Sequence, residues 1–174
     1  ESREKAGRLR RRVDELGRHL GTNVPVYLLV TKSARIAGFT EFFGRLSESL
    51  LGQVMGCVNG DMQDRSEATA FFEQGFRSIT QRLDGLRLTL MEEEDGPDAL
   101  RPLFFFPEEL RGLERPLQTF VDTFFRQNPY RETPFFRGFF FASGQQEGSP
   151  SSRLSQALGF DDWAWGPDSG KMAT

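Results

Sequence analysis

Cysteine and histidine are almost missing from these 174 residues: Cys57 and His19 stand alone. One cysteine excludes an intrachain disulfide and points to a reducing compartment. One of each excludes a His/Cys metal cluster, and neither has a partner in sequence for nucleophilic catalysis. Long apolar runs are lacking too. None approaches the roughly 18 residues needed to cross a bilayer, and the basic start is not followed by a signal-peptide apolar stretch. Cations are not in surplus: 22 Lys and Arg against 25 Asp and Glu leave a net charge of −3. That removes the electrostatic basis for general nucleic-acid binding, so no nucleic acid is expected as a partner. The run Arg8–Arg12, with Leu9 inside it, is read as a solvated helix face.

A phosphate-binding loop is also absent. Such a loop needs glycines that turn backbone N–H groups toward phosphates, followed by Lys and Ser or Thr. The nearest match, Gly166 to Met172, has its first glycine one position too close, Met172 in place of the metal-binding hydroxyl, and no strand before it. The acids Glu92 to Asp95 read as a solvated loop. Asp161-Asp162 beside Trp163 and Trp165 read equally as a contact surface or a docked tail. Taken alone the chain has no complete catalytic constellation and is not expected to be an enzyme.

What is present is a globular balance of 37% hydrophobic and 27% charged residues, enough for one ordinary domain. Phenylalanine dominates, with 18 copies against two each of Trp and Tyr, many in clusters such as Phe104-Phe105-Phe106 and Phe139-Phe140-Phe141. An aromatic core follows.

Leu9, Val13, Leu16 and Leu20 recur at spacings of four, three and four, predicting a helix over 3–20 that Gly21 ends. Val24 to Thr31 is a nearly unbroken β-branched and apolar run, which predicts a strand covered on both faces. A shorter helix is expected between Phe39 and Leu51, then a loop from Gly52 to Arg65. Ser66 is a candidate N-cap for a long helix carrying Phe72, Phe76, Ile79, Leu83, Leu86 and Leu90 inward, stopped by Glu92–Asp95 and Gly96-Pro97. A second strand is expected at Leu103–Phe106, with Pro107 opening a helix that buries Leu110, Leu113, Leu117, Phe120 and Phe124, kinked or broken at Pro116. A third strand is expected over Phe136–Ala142, followed by a short helix near Ser151 to Leu158. Strands separated by helices predict an α/β fold, a small mostly parallel sheet of about three strands covered by helices.

Ligands of open α/β sheets gather beyond the carboxyl ends of strands. Thr31-Lys32-Ser33-Ala34 follows the first strand and Ala142-Ser143-Gly144 the third. Thr31, Lys32, Ser143 and Gly144 are therefore the candidate contacts for a nucleotide or other small molecule.

Several stretches are more distinctive. Pro25 to Lys32, Ala37-Gly38-Phe39, Glu41-Phe42-Phe43, Leu51 to Gly56, Phe104 to Pro107, Asn128-Pro129-Tyr130 and Phe136 to Gly148 together resemble, in order, the cytoplasmic domain of the IcmF/TssM family of type VI secretion. The resemblance covers about residues 5–160 and leaves 161–174 as a tail or linker. It implies the rear, C-terminal half of a P-loop GTPase-like domain on the cytoplasmic face of the bacterial inner membrane, in a full-length protein that is membrane-anchored. It implies a scaffold role in anchoring the secretion apparatus, with TssL- and TssJ-like membrane-complex proteins and baseplate or cytoplasmic components as partners. The alternative it carries is the base-binding half of an NTPase that takes ATP or GTP only when joined to an upstream phosphate-binding loop, with no cofactor held by this segment alone. Thr31 to Ala34 corresponds to the family's base-recognition motif, and Ala34 stands where an aspartate would read guanine. A degenerate free-standing relative of the small GTPases is a further reading.

Overall fold

A computed structural model of the chain describes residues 1–47, 50, 54–60, 68–94, 96–128 and 132–143. The expected Ser66 cap, the helix near 151–158, Gly166 to Met172, the Trp163 segment and the 161–174 tail lie outside the described residues. The elements are α1 (Ser2–Leu20), β1 (Pro25–Val30), a 3-10 turn (Ser33–Arg35), α2 (Phe39–Phe43), β2 (Gly56–Val58), α3 (Ala68–Glu92), α4 (Pro97–Arg111), α5 (Glu114–Phe125) and β3 (Phe135–Phe141).

The three strands form one sheet in the order β1-β3-β2. The Ala142 N–H donates to the Val30 carbonyl at 2.9 Å, joining the carboxyl ends of β1 and β3, so these two run parallel. β2 pairs antiparallel with β3, with Gly56 opposite Phe140 and Val58 opposite Gly138. The sheet is therefore mixed.

Packing divides the chain into two compact units. The first comprises residues 1–29, 55–79 and 113–140 and has a phenylalanine core. Phe72, Phe76 and Phe139 are fully buried, with Phe72 and Phe139 ring centroids 4.9 Å apart. Phe136 lies 4.4 Å from Phe125 and edge-on to Phe71. Gly75 makes this approach of helix to sheet close: a Cβ there would stand 2.9 Å from both Cys57 Sγ and the Phe139 ring edge.

The second unit comprises, among the described residues, 30–47, 50, 54, 80–94, 96–112 and 141–143. Here α2 packs on α4. Phe42 and Phe106 are buried with centroids 5.0 Å apart, and Phe39 meets Phe106 edge-on. Gly38 starts α2 at φ 78, and a side chain there would press into the Pro102 carbonyl and the Phe106 Cβ. Only glycine satisfies both demands.

Several expectations are corrected. Leu103–Phe106 is not a strand but the middle of α4. Leu103, Phe106 and Leu110 sit at helical spacing and are buried, whereas Phe104 faces outward under the Arg87 guanidinium. A four-residue apolar run does not separate strand from helix, and here the helix opens at Pro97, its first position, rather than at Pro107. The strand that does form is β2, inside the expected Gly52–Arg65 loop, and its antiparallel pairing makes the sheet mixed rather than mostly parallel. β1 is not covered on both faces: it lies at a sheet edge and exposes Pro25, Tyr27 and Leu29 in alternation with half-buried residues. After Phe39, α2 ends at Phe43 and Leu50 is again helical, while residues 48, 49 and 51 of the expected span fall outside the described residues. The chain breaks between α4 and α5 at Gly112–Leu113, and Pro116 lies in the first turn of α5, where its missing N–H costs nothing.

Candidate functional site

The parallel pairing of β1 and β3 brings their carboxyl-end loops together. Beyond Val30 the chain turns at Lys32, a non-glycine residue with positive φ among the described residues, at 65. For a residue with a Cβ this left-handed conformation is strained, and it persists because neighbouring bonds hold it. Three do so. The Ser33 N–H donates to the Ala142 carbonyl at 3.2 Å, the Arg35 N–H to the Lys32 carbonyl at 3.0 Å, and the Ala34 N–H to the Ser143 hydroxyl at 3.1 Å.

Of the sequence-predicted contacts, Thr31, Lys32 and Ser143 are exposed beside one another's loops, and Gly144 lies outside the described residues. Ser33 is buried, with its hydroxyl aimed at the Val30 carbonyl. Ser143 is a structural link as well as a surface group, since its oxygen accepts from Ala34. Ala34 adds no polar side chain to the loop. The remaining chemistry is one flexible cation, two hydroxyls and strand-end backbone. Among the described residues no group of His, Cys, Asp or Glu is arranged to hold a metal ion.

A concavity lies in the first unit, where α1 ends and β1 begins. It is a cleft of about 380 Å³ whose lining includes Asp14, Gly17, Arg18, Asn23, Glu132 and Pro134. Two of the lining residues, Asp14 and Glu132, are bonded from behind by Arg10, which sequence reading placed on a solvated face. Arg10 is buried. Its guanidinium donates to the Phe124 carbonyl at 2.5 Å, the Arg126 carbonyl at 3.3 Å and the Glu132 carbonyl at 3.2 Å, and pairs with Asp14 at 2.7 Å. The first two carbonyls are at the end of α5, where the helix dipole favours a cation. Asn23 closes the cleft by donating to the Thr133 carbonyl at 2.9 Å. The position of Arg10, one residue from the leucine stripe and beside Ala6 at i−4, was the available signal, but its acceptors lie more than a hundred residues away.

Of the acids expected in a solvated loop, Glu94 pairs with Arg45. Cys57, beneath Gly75, has its thiol pKa raised by burial, so it stays protonated. No described helix is long and apolar enough to cross a membrane.

The chain matches the family model of the IcmF-related N-terminal domain over residues 1–162. It is 34% identical over 148 residues to the type VI secretion system component TssM1 of Pseudomonas aeruginosa, an alignment covering 84% of this chain and 13% of that protein. No solved structure matches. The matching domain is an N-terminal one, which corrects the expectation of a C-terminal half. The chain belongs to the IcmF-related family, as its N-terminal domain.

Proposed function

We propose that this domain is a scaffold segment of a type VI secretion membrane complex, acting through protein contacts on the cytoplasmic face of the inner membrane and without turnover of its own. The observation that carries the reading is the open apolar side of β1, where Tyr27 and Leu29 remain 52% and 57% exposed at a sheet edge. Large apolar side chains on an unpaired parallel edge are normally covered, and a partner is the economical cover. Family membership supplies the context: the relative is a type VI secretion component more than seven times the length of the matched segment. TssL- and TssJ-like membrane proteins and baseplate or cytoplasmic components are the partners this reading names.

The test replaces Tyr27 and Leu29 with Ser in the full-length protein inside a secreting bacterium. Expected are normal accumulation of the protein, reduced co-purification of the membrane-complex partners and reduced secretion. Undiminished co-purification and secretion would sink the reading.

The junction of the β1 and β3 loops favours a second reading, in which Thr31, Lys32, Ser143 and Gly144 form the base-binding side of a site for ATP or GTP. The phosphate-binding loop would come from elsewhere in the protein. Lys32 would pack its stem along the base, and Ala34 would leave ATP and GTP nearly equivalent. Calorimetry of the full-length protein with each nucleotide tests this, and no heat with either removes it.

A further inference from the structure

The apolar stripe of α1 is not the face that packs. Residues Ala6 and Arg10 turn inward against α5, while Leu9, Leu16 and Leu20 remain 49%, 48% and 60% exposed. The geometry is consistent: one residue advances about 100° around an α-helix, so Leu9 lies about a quarter turn from Arg10. With half-buried Val13, these leucines repeat at four, three and four. That is the narrow two-in-seven seam of a coiled coil rather than the wider face of a helix packed on a core.

Charge along the seam is one-sided. On the flank away from α5, Lys5, Arg12 and His19 recur every seven residues, all exposed, with Lys5 in a solvent-exposed ion pair with Glu1 at 2.5 Å. On the other flank the equivalent positions, Arg10 and Gly17, are taken up by α5 and the cleft. α1 carries seven Lys or Arg against three acids, a net +4 in a chain of net −3, which leaves −7 elsewhere. A basic helix with an unfilled seam is set apart from an acidic remainder.

We propose that α1 is a docking helix whose Leu9–Val13–Leu16–Leu20 seam receives an amphipathic helix of a partner protein, bearing leucines in heptad register and a Glu- or Asp-rich flank opposite Lys5, Arg12 and His19. A second copy of this chain is the wrong occupant: antiparallel pairing sets the basic flank against itself, and parallel pairing needs the flank that α5 covers. A lipid surface is disfavoured by the narrowness of the seam and its lack of aromatic side chains, since interfacial helices immerse a wide apolar face. The acidic flank provides selectivity, because like charges across the seam are repulsive. This surface is separate from the open side of β1, so its failure leaves the preceding reading intact.

The test is fluorescence anisotropy of a labelled three-heptad peptide, with leucines at the seam positions and Glu on the flank, titrated with the full-length protein. Expected is saturable binding that weakens at least tenfold for the Leu9→Gln/Leu16→Gln variant. The same loss is expected when the peptide flank is Lys, and Arg12→Glu together with Lys5→Glu should restore binding of that Lys-flanked peptide. The leucines are exposed, so an unchanged circular dichroism spectrum verifies folding of the variants. Absence of binding, or equal binding of the Glu- and Lys-flanked peptides, would overturn the proposal. So would seam-dependent co-sedimentation with phosphatidylglycerol vesicles, or seam-dependent dimerisation in the ultracentrifuge, in place of peptide binding.

Discussion

Arg10 shows how one side chain can be indispensable while resembling its exposed neighbours in sequence. Its guanidinium satisfies three backbone carbonyls and Asp14 inside the first unit. Replacing it with Met leaves those carbonyls and a nearly buried carboxylate without their cation. A buried pair broken on one side costs about 3–5 kcal/mol, so Arg10→Met is expected to lower the denaturation midpoint sharply, with the double change Arg10→Met/Asp14→Leu recovering part of the loss. Arg11→Met, at an exposed position, serves as the control and should be nearly silent.

Lys32 presents the opposite balance. Its left-handed backbone costs roughly 1–2 kcal/mol for a residue with a Cβ, and glycine removes that cost while adding freedom to the unfolded chain. Lys32→Gly is therefore expected to change stability by no more than about 1 kcal/mol in thermal melts. A large loss would show that the lysine side chain, rather than the turn, holds the loop.

Cys57 gives a pH prediction. Burial raises its folded-state pKa, so the thiolate is disfavoured in the native protein. The unfolded chain binds fewer protons once pH passes the ordinary thiol range, and stability falls there as pH rises. Native Cys57 should also alkylate more slowly than the same thiol in denaturant, and Cys57→Ser should flatten the alkaline part of the stability profile.

Among the elements, α3 was the most legible. Its stripe of Phe72, Phe76, Ile79, Leu83 and Leu90 is buried, Leu86 is half-buried, and the helix ends at Glu92 where the acids begin. β1 and β3 were legible as dense β-branched and aromatic runs. β2 was not, because three residues, Gly-Cys-Val, carry no periodicity and gain strand character only by pairing with Phe139 and its neighbours. α4 misled because Pro102 and Pro107 sit inside it, and Pro-flanked aromatics read as the edges of a strand. α1 was recognisable as a helix but its inward face was not, since the leucines outrank Ala6 and Arg10 in any hydrophobic pattern. The loop pair of the candidate site followed from strand ends alone; the turn at Lys32 and the Ala34–Ser143 bond needed coordinates.

The helix-to-sheet approach also yields a prediction at this scale. Gly75→Ala places a methyl 2.9 Å from both Cys57 Sγ and the Phe139 ring, inside normal contact. Overpacking of this kind costs about 1–3 kcal/mol, measurable by urea denaturation. The compensating pair Gly75→Ala/Cys57→Ala should recover some of it, whereas Phe139→Ala, which empties a fully buried site, should cost about 3–5 kcal/mol.

At the scale of the whole molecule, the chain spans 13% of its curated relative's length. The sheet has two different edges. β2 is three residues long and antiparallel, a poor template, whereas β1 offers a six-residue strand whose outer side carries no partner among the described strands. Isolated chain is expected to aggregate through β1, and Leu29→Lys should raise its soluble yield while leaving the melting temperature within a few degrees. Equal aggregation of both forms in light scattering would place the liability elsewhere.

That asymmetry gives the sheet a direction. Pro25 supplies no N–H at the first position of β1, so the donors that the free edge offers an incoming strand begin at Tyr27, toward the end where the chain turns into Lys32. A strand added there would end beside Thr31, so a larger partner seated on the edge would also cover the entrance to the turn at Lys32.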